Sequence, residues 1–345
     1  MVVLGIDAHK RTHTVVAVDE VGRQLGIRVT KATSTAAHLD LVRWAGQFGP
    51  GRQWAVEDCR HLSRRLEADL LAAGETIVRV PPKLMANCRD SARTYGKSDP
   101  IDALAVARAA LREPGLPSAR LDGPERELRL LVDHREDLVA ERTRVMNRLR
   151  WHLHELDPDW DPAPRTLNRR KTITGIVARL ASFDGLVARL AADLTARIAA
   201  LTTEVNALEK EIAALTRALA PSLLAVPGAA ELTAAKIVAE TAGADRFKSK
   251  DAYARHNGTA PLPVWSASPR HRLARTGNRQ LNCAIHRIAV TQIRCHPDAQ
   301  AYVKHRIAAG DTKSEALRAL KRRLSDVVYR ALLADGTATP VSQAA

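Results

Sequence analysis

Hydrophobic residues near the N-terminus form short runs that are typical of strands and are separated by polar turns. The first three runs are Val2–Asp7, His13–Val18 and Gln24–Thr30. Helical and strand patterns then alternate up to Pro81-Pro82: a helix at Thr35–Phe48, a strand at Gln53–Glu57, a helix at His61–Ala73 and a strand at Thr76–Val80. This alternation predicts a mixed sheet covered by helices, after which the chain is helical.

Two long helices are predicted in the centre of the chain. Apolar residues recur at spacings of three and four from Glu125 to Leu156, and Asp157-Pro158 ends that pattern. The second helix carries a heptad seam, which consists of Leu194, Ile198, Leu201, Val205, Leu208, Ile212, Leu215 and Leu219. Heptads define a seam and not its partner, so two arrangements stay open. They are an antiparallel hairpin with the first long helix and a coiled coil between subunits.

The C-terminal third is predicted to be mainly helical. Pro227-Gly228 separates two helical patterns and is similar to a helix-hairpin-helix turn, whose amides approach DNA phosphates. A Pro-rich loop at Pro261–Pro269 precedes basic helices at Gly277–Cys295 and Ser314–Leu333. The predicted fold class is α/β plus all-α. Its three expected domains are a mixed-sheet domain at 1–115, a long-helix coiled-coil region at 116–220 and a helical domain at 221–345.

The charge of the chain predicts a polyanionic partner. The 345 residues carry 53 Lys and Arg against 38 Asp and Glu, and residues 246–345 alone hold 18 basic against 6 acidic side chains. A net charge of +15 makes nucleic acid the first candidate. Arginines outnumber lysines by 41 to 12, and guanidinium groups bind phosphate oxygens in pairs. An aromatic content of 3% argues against binding mainly by base stacking.

Cysteine spacing and hydropathy bear on the cellular location. Four cysteines lie far apart without a Cys-x-x-Cys pair, which indicates neither a zinc site nor a disulfide framework. The first residues lack the pattern of an export signal, and no apolar run approaches the roughly 18 residues of a membrane helix. We therefore expect a cytoplasmic protein without a membrane segment.

Four carboxylates are candidate metal ligands. Asp7 and Glu57 each end a predicted strand, and neighbouring strands would bring both to one edge of the sheet. Asp99 and Asp102 begin a predicted helix at Asp99–Leu111 and project from one face of its first turn. Converging carboxylates repel one another unless a hard cation lies between them, and Mg²⁺ takes such oxygen ligands. Two such ions can stabilise both oxygens of a phosphoryl transfer.

Each carboxylate also has an ordinary interpretation. Asp99 fits the N-cap of a helix, with Pro100 at its first position and Asp102 at its third. The combination of all four, in a ribonuclease-H-like order of strands, favours the metal site. His9 and His13 are weaker candidates for shaping that site.

Several segments resemble the insertion-sequence-110 family of transposases, relatives of the Piv DNA invertase. The N-terminal segments Gly5–Lys10, Ala55–Glu57 and Gly96–Ala103 are similar to the RuvC-like domain of that family. Gly258–Pro263 and Arg275–Leu281 resemble its second conserved domain, so the match covers nearly the whole chain. The resemblance implies a RuvC-like, ribonuclease-H-like sheet, a coiled coil and a C-terminal transposase domain.

The resemblance also implies roles for particular residues. Asp7, Glu57, Asp99 and Asp102 would form the acidic tetrad of the family and bind Mg²⁺. Ser266 aligns best with the family's nucleophilic serine, although Ala267 replaces the usual glycine, and Ser268 is the alternative. The residues expected to bind nucleic acid beside the serine are Arg270, Arg272, Arg275, Asn278 and Arg279.

These features predict a DNA recombinase of an insertion sequence. A serine would attack a DNA phosphate with help from the acidic tetrad, at composite sites in a homo-oligomer, a dimer or a tetramer. The partners that the resemblance implies are donor DNA, target DNA and a noncoding bridge RNA. One alternative is a metal-dependent RuvC-like nuclease or junction resolvase that forms no covalent intermediate. The other is a non-enzymatic scaffold that binds nucleic acid.

Overall fold

The computed structural model describes residues 1–57, 60–90, 98–113, 115–119, 123–263, 271–272 and 277–338. Side chains are described at these positions except 60–61, 90, 263, 271–272 and 337–338. Contacts divide the chain into two compact units. The first unit comprises 1–123, 226–228 and 243–345, and the second comprises 124–225 and 229–242. The division into three domains stays a prediction.

The first unit begins with a mixed five-stranded sheet, as predicted. Its strands are β1 (Val2–Ala8), β2 (Thr12–Val18), β3 (Gln24–Lys31), β4 (Arg52–Glu57) and β5 (Ile77–Val80). The order across the sheet is β3-β2-β1-β4-β5. Consecutive strands β1, β2 and β3 pair antiparallel, whereas β4 pairs parallel to β1 and β5 parallel to β4. The predicted three-stranded meander is therefore confirmed.

Helices cover both faces of this sheet. They are α1 (Thr35–Ala45), a 3-10 turn at Gly46–Phe48, α2 (Arg60–Ala72), α3 (Pro82–Asp90) and α4 (Asp99–Arg112). Leu4 and Ile6 of β1 share a core cluster with Leu41 of α1 and Leu66 of α2. On the opposite face, Val3 packs in a cluster with Met85 and Cys88 of α3 and with alanines of α4. The sheet is thus the middle layer of three.

Gly5 allows α4 to lie unusually close to β1. A Cβ built at Gly5 would lie 2.7 Å from Ala107 Cβ, and the Ala103 carbonyl oxygen and the Ala107 amide nitrogen would be closer still. Side chains alternate between the two faces of a strand, so Asp7 shares the α4 face with Val3 and Gly5. The same alternation puts Glu57 on the α4 face with Ala55, a member of the α4 cluster.

The second unit is helical. Its elements are α5 (Pro124–Leu156), α6 (Arg170–Leu180), α7 (Leu186–Leu219), α8 (Pro221–Leu224) and α9 (Glu231–Thr241). The long helices α5 and α7 pack antiparallel within one chain, because Arg135 of α5 bonds Glu209 and Glu141 bonds Arg197. Leu138 lies in one cluster with Leu201 and Val205 of the predicted seam, and that part of the seam therefore has an intramolecular partner. A coiled coil between subunits stays a prediction.

The first unit continues after the second with mainly helical structure, as predicted. Its remaining elements are α10 (Lys250–His256), β6 (Leu262–Pro263), β7 (His271–Arg272), α11 (Arg279–Cys295), α12 (Pro297–Ala308) and α13 (Lys313–Ala338). Pro297 begins α12 directly after α11 ends, where proline is favoured. Among the helices of the described residues, none combines the length and hydropathy needed to cross a membrane.

Candidate functional site

The carboxyl ends of β1 and β4 present two acidic residues side by side. These strands run parallel, and Ile6 pairs with Val56 in their register. The next residues along the two strands are Asp7 and Glu57, on the sheet face that α4 covers. Asp7 is buried and Glu57 is half-buried. Parallel pairing of neighbouring strands thus brings two chain segments 50 residues apart to one sheet edge.

Helix α4 brings the other two predicted carboxylates to the same face. The helix begins at Asp99, and Ser98 occupies the N-cap position, so the interpretation of Asp99 as the N-cap is wrong. With Ser98 at the N-cap, Asp102 takes the fourth helical position and not the third, and its side chain is buried. Asp99 is half-exposed at the helix start. A buried carboxylate near the positive end of a helix is partly stabilised by the helix dipole.

His9 joins Asp7 to Asp99. Its Nε2 atom lies 3.0 Å from Asp7 Oδ2 and 3.3 Å from Asp99 Oδ1. Candidate ligand atoms of these three residues all lie within 4.8 Å of one another. The sequence signal for His9 was its position two residues after Asp7, on the same side of an extended chain. We call Asp7, His9 and Asp99 the acidic-histidine cluster.

The electrostatics of Asp7 indicate a place for a cation. Burial raises the pKa of Asp7 above its ordinary value, whereas the charge and hydrogen bond of His9 lower it. The charges of Asp102 and Asp99 raise the pKa of Asp7 further. A divalent cation would relieve this repulsion, and carboxylate oxygens are hard ligands that suit such an ion. The residues at this edge therefore fit a divalent metal, with Asp7, Asp99 and His9 as the closest set.

Asp102 is held by a residue that the sequence did not indicate. Arg89, on α3, places Nη1 3.0 Å from Asp102 Oδ1. Asp102 lies outside the acidic-histidine cluster, and its charge nevertheless contributes to the raised pKa of Asp7. Arg89 therefore offsets part of the negative charge that four carboxylates create.

The predicted nucleophile falls outside the described residues. Ser266, Ser268, Arg270 and Arg275 all lie there, so the predictions for them stay predictions. Of Arg272 only the backbone is described, in β7 opposite Leu262. Residues 258–276, which we call the serine loop, connect α10 to the start of α11. The structure thus locates the two ends of the serine loop and the short pairing of β6 with β7.

A network of buried polar groups holds the two ends of the serine loop together. A Cβ at Gly277 would lie 2.9 Å from His256 O and closer still to backbone atoms of Gly258, so the two glycines cross in direct contact. Asn282 Nδ2 donates to the carbonyls of Asn257 and Gly258 at 3.0 Å each. Lys321 Nζ in turn donates to Asn282 Oδ1 at 2.6 Å. Both ends of the loop are therefore attached to α11 and α13.

Asn278 and Arg279 begin α11. Asn278 is the N-cap, and its Oδ1 accepts from the amides of Gln280 and Leu281 at 2.9 and 3.0 Å. This bond satisfies amides that helix geometry leaves without a partner. Arg279 is exposed at the first helical position. The contacts of these two residues with nucleic acid stay predictions.

The Pro227-Gly228 turn packs against α11. Gln292 Nε2 donates to Pro227 O at 2.8 Å, and a Cβ at Gly228 would lie 3.2 Å from Ile288 O. Gly228 has a φ of +87°, which favours glycine because side chains clash there. The turn therefore has a packing role, and its contact with DNA stays a prediction.

Comparison with known families assigns the chain to a class of enzyme. A family model described as "Transposase" matches residues 4–158, which include the sheet and both pairs of carboxylates. A second model, described as "Transposase IS116/IS110/IS902 family", matches residues 220–304, which include the serine loop. The chain is therefore a DNA transposase. It belongs to the IS116/IS110/IS902 family, which confirms the resemblance drawn from its motifs.

Relatives from insertion elements match almost the full length. A protein of insertion element IS116 from Streptomyces clavuligerus is 30% identical, over 99% of this chain and 98% of that protein. A protein of insertion element IS900 from Mycobacterium paratuberculosis is 27% identical, over 95% of this chain and 94% of that protein. Among solved structures, T. thermophilus RuvC in complex with a Holliday junction substrate matches 32% of this chain and 93% of its own, with 18% identity and a TM-score of 0.26. The family models, and not this structure, carry the assignment.

Proposed function

We propose that this transposase cleaves and rejoins DNA with Ser266 as nucleophile and with a divalent metal, Mg²⁺, held by its acidic tetrad. The observation that supports the metal site most directly is the acidic-histidine cluster, with ligand atoms within 4.8 Å of one another. When bound there, a divalent cation would polarise a phosphoryl oxygen and stabilise the charge of the transition state. Asp7 and Asp99 would hold it through oxygen, the ligand atom that suits Mg²⁺, and His9, whose Nε2 lies beside both carboxylates, would orient them.

In the proposed reaction the Ser266 Oγ attacks the phosphorus of a DNA phosphodiester. An Oγ–P bond forms while the bond from phosphorus to the leaving deoxyribose oxygen breaks. The Oγ proton passes to a base, and the leaving oxygen takes up a proton to become a hydroxyl. The phosphoserine ester conserves the bond energy, so attack by the hydroxyl of another strand rejoins the DNA and regenerates serine.

A serine hydroxyl attacks poorly at neutral pH unless a base or metal lies nearby. In sequence, residues 258–276 contain His271 and no carboxylate. Activation of Ser266 is therefore assigned to the acidic tetrad, of the same subunit or of a partner subunit in a homo-oligomer. The proposal includes a homo-oligomer and a guiding bridge RNA, which the family resemblance supports, and the basic charge of residues 246–345 is compatible with two nucleic acid partners. We place this activity at the nucleoid, in the cytoplasm.

The test is a denaturing gel of the purified protein with Mg²⁺, the RNA of its element and labelled donor and target DNA. Wild type is compared with Ser266→Ala, Asp102→Ala and the matched control Ser268→Ala. We expect a labelled protein–DNA species that survives denaturation, is lost in the first two variants and persists in Ser268→Ala. Cleaved ends that persist in Ser266→Ala would instead establish the hydrolytic nuclease. Recombination that persists in Asp102→Ala would exclude a role for the acidic tetrad.

A further inference from the structure

A basic cavity of about 680 Å³ lies in the C-terminal part of the first unit. Its walls are the start of the serine loop at Gly258–Pro261, the end of α12 with the following turn, and one face of α13. Five basic side chains line it against two acidic ones, Asp311 and Glu315. The volume is within the range of sites that bind small molecules or single nucleotides.

Three of the five basic side chains have carboxylate partners. Arg306 bonds Asp311 through Nε at 2.6 Å, and Arg318 lies 3.8 Å from Glu315. Arg322 is paired with Asp251 and with Asp326. The charges of these arginines are therefore largely balanced within the protein.

The charges of Lys321 and Arg323 are not balanced by carboxylates in this way. Lys321 is only 7% exposed, and its Nζ donates to the neutral amide oxygen of Asn282 at 2.6 Å. The guanidinium of Arg323 lies 4.2 Å from the ring centroid of Tyr302. Within the part of the chain that the structure describes, neither side chain forms an ion pair. A buried ammonium without an anion is unfavourable. An anionic ligand in the cavity would therefore be a favourable partner for Lys321.

The electrostatics of neighbouring groups agree with this imbalance. Burial lowers the pKa of Lys321, against an opposing effect of the Cys283 thiol, and burial together with the charge of Lys321 lowers the pKa of His286 on α11. An anion in the cavity would offset the cost of burying the Lys321 charge. Tyr302 meanwhile holds the Arg323 guanidinium by a cation–π contact with its ring, and guanidinium N–H groups are suited to binding phosphate oxygens.

We propose that this cavity binds a nucleic acid strand through its phosphodiester backbone, with Lys321 and Arg323 as the cationic side chains of its wall and the attached nucleoside in the remaining volume. Because Gly258–Pro261 is both a wall of the cavity and the start of the serine loop, a strand bound here is held next to that loop. The role of the bound strand rests on the proposed function, because it would be a strand that the serine loop acts on. The binding itself requires no cleavage.

The test is the salt dependence of binding to fluorescein-labelled single-stranded 20-mers of DNA and RNA, measured by anisotropy with the full chain. The variants are Lys321→Met and Arg323→Gln, and the control is Arg330→Gln, an exposed arginine of α13 outside the cavity. Loss of one phosphate contact reduces the slope of log K against log salt by about 0.7 for single strands. We expect that change in each cavity variant, with roughly tenfold weaker binding, and wild-type behaviour in the control.

Equal losses for DNA and RNA would support a site that recognises phosphate alone, and a loss confined to one strand type would identify that strand as the ligand. An unchanged slope in Arg323→Gln, which lies on the surface and does not threaten the fold, would overturn the proposal. So would an equal loss in Arg330→Gln, because that would be an effect of general charge. Ser266→Ala should bind as wild type does, so failure of the serine chemistry and failure of this site are separate results.

Discussion

Replacement of Gly5 with alanine tests whether close packing of α4 on β1 sets the geometry of the acidic tetrad. The new Cβ would lie 2.7 Å from Ala107 Cβ, whereas ordinary contacts begin at 3.4 Å. The helix must therefore move away from the strand by about 0.7 Å or more, because the opposing atoms include backbone that has no other rotamer. Asp99 and Asp102 move with α4, whereas Asp7 stays on β1.

The expected cost follows from that displacement. Overpacking of this size destabilises a core by about 1–3 kcal/mol, which corresponds to roughly fivefold to more than 100-fold faster exchange of amide hydrogens. We expect this change in peptides that cover Asp99–Arg112, measured by hydrogen exchange of the full chain. Misplacement of reacting groups by about 1 Å costs on the order of 100-fold in rate, so DNA strand transfer should fall by a similar factor.

The matched control is Gly46→Ala. Gly46 has helical backbone angles, and a Cβ there would meet nothing within 4 Å. We expect wild-type exchange and activity in this variant. If Gly5→Ala kept both exchange of α4 and strand transfer at the level of Gly46→Ala, the argument that α4 contact sets the site would be refuted.

Three further predictions concern other parts of the chain. His13 is buried, neither ring nitrogen has a hydrogen-bond partner, and burial with the charges of His38 and His9 lowers its pKa to about 4. Below pH 6.5, the ordinary pKa of histidine, His13 is protonated in the unfolded chain but stays neutral in the folded one. The free energy of unfolding should therefore fall by about 2 kcal/mol from pH 7 to pH 5. In urea unfolding, His13→Leu should remove that fall. Gly277→Ala should separate the ends of the serine loop and reduce covalent protein–DNA product by on the order of 100-fold on a denaturing gel. Lys236→Met should destabilise the second unit by about 1–3 kcal/mol in thermal unfolding. The reason is that Lys236 is buried and its Nζ lies 2.9 Å from the Glu136 carboxylate, which is half-exposed.

Each of these predictions has a control. If His13→Leu leaves the pH dependence of stability unchanged, other titratable groups cause that dependence. Gly336→Ala, which meets nothing within 4 Å, should form product normally, and equal product from Gly277→Ala would contradict the role of the glycine contact. Lys210→Met removes an exposed lysine from α7 of the same unit. A loss of stability as large as that of Lys236→Met would show that the ion pair of the buried Lys236 is not responsible.

Local patterns predicted much of the fold and of the acidic edge. Apolar runs located the strands of the meander, and the positions of Asp7 and Glu57 at strand ends were enough to expect them together once β1 and β4 paired. Helix α3 was missed because Pro82–Asp90 is short and directly follows the Pro81-Pro82 break, and the contact of Arg89 with Asp102 was missed with it. The central place of His9 depends on where α4 starts, which is a matter of tertiary packing.

The partner of the heptad seam was also beyond sequence reasoning. A repeat of seven specifies which face of α7 is apolar, and the same face would serve a neighbouring subunit or a second helix of one chain. The choice for Leu201 and Val205 depends on the connection through α6, which allows α7 to return along α5. The ion pairs of Arg135 with Glu209 and of Arg197 with Glu141 agree with that return, but complementary charges on a helix face would also suit other partners.

The contact of Gly258 with Gly277 has a consequence for how such enzymes can diversify. When both ends of a segment are anchored to a helical frame, doubling its length costs only about 0.6 kcal/mol in closure entropy. The frame of α10, α11 and α13 can therefore accept segments of other lengths and compositions between these two glycines. The serine loop is therefore a segment whose length can vary while α10, α11 and α13 stay unchanged.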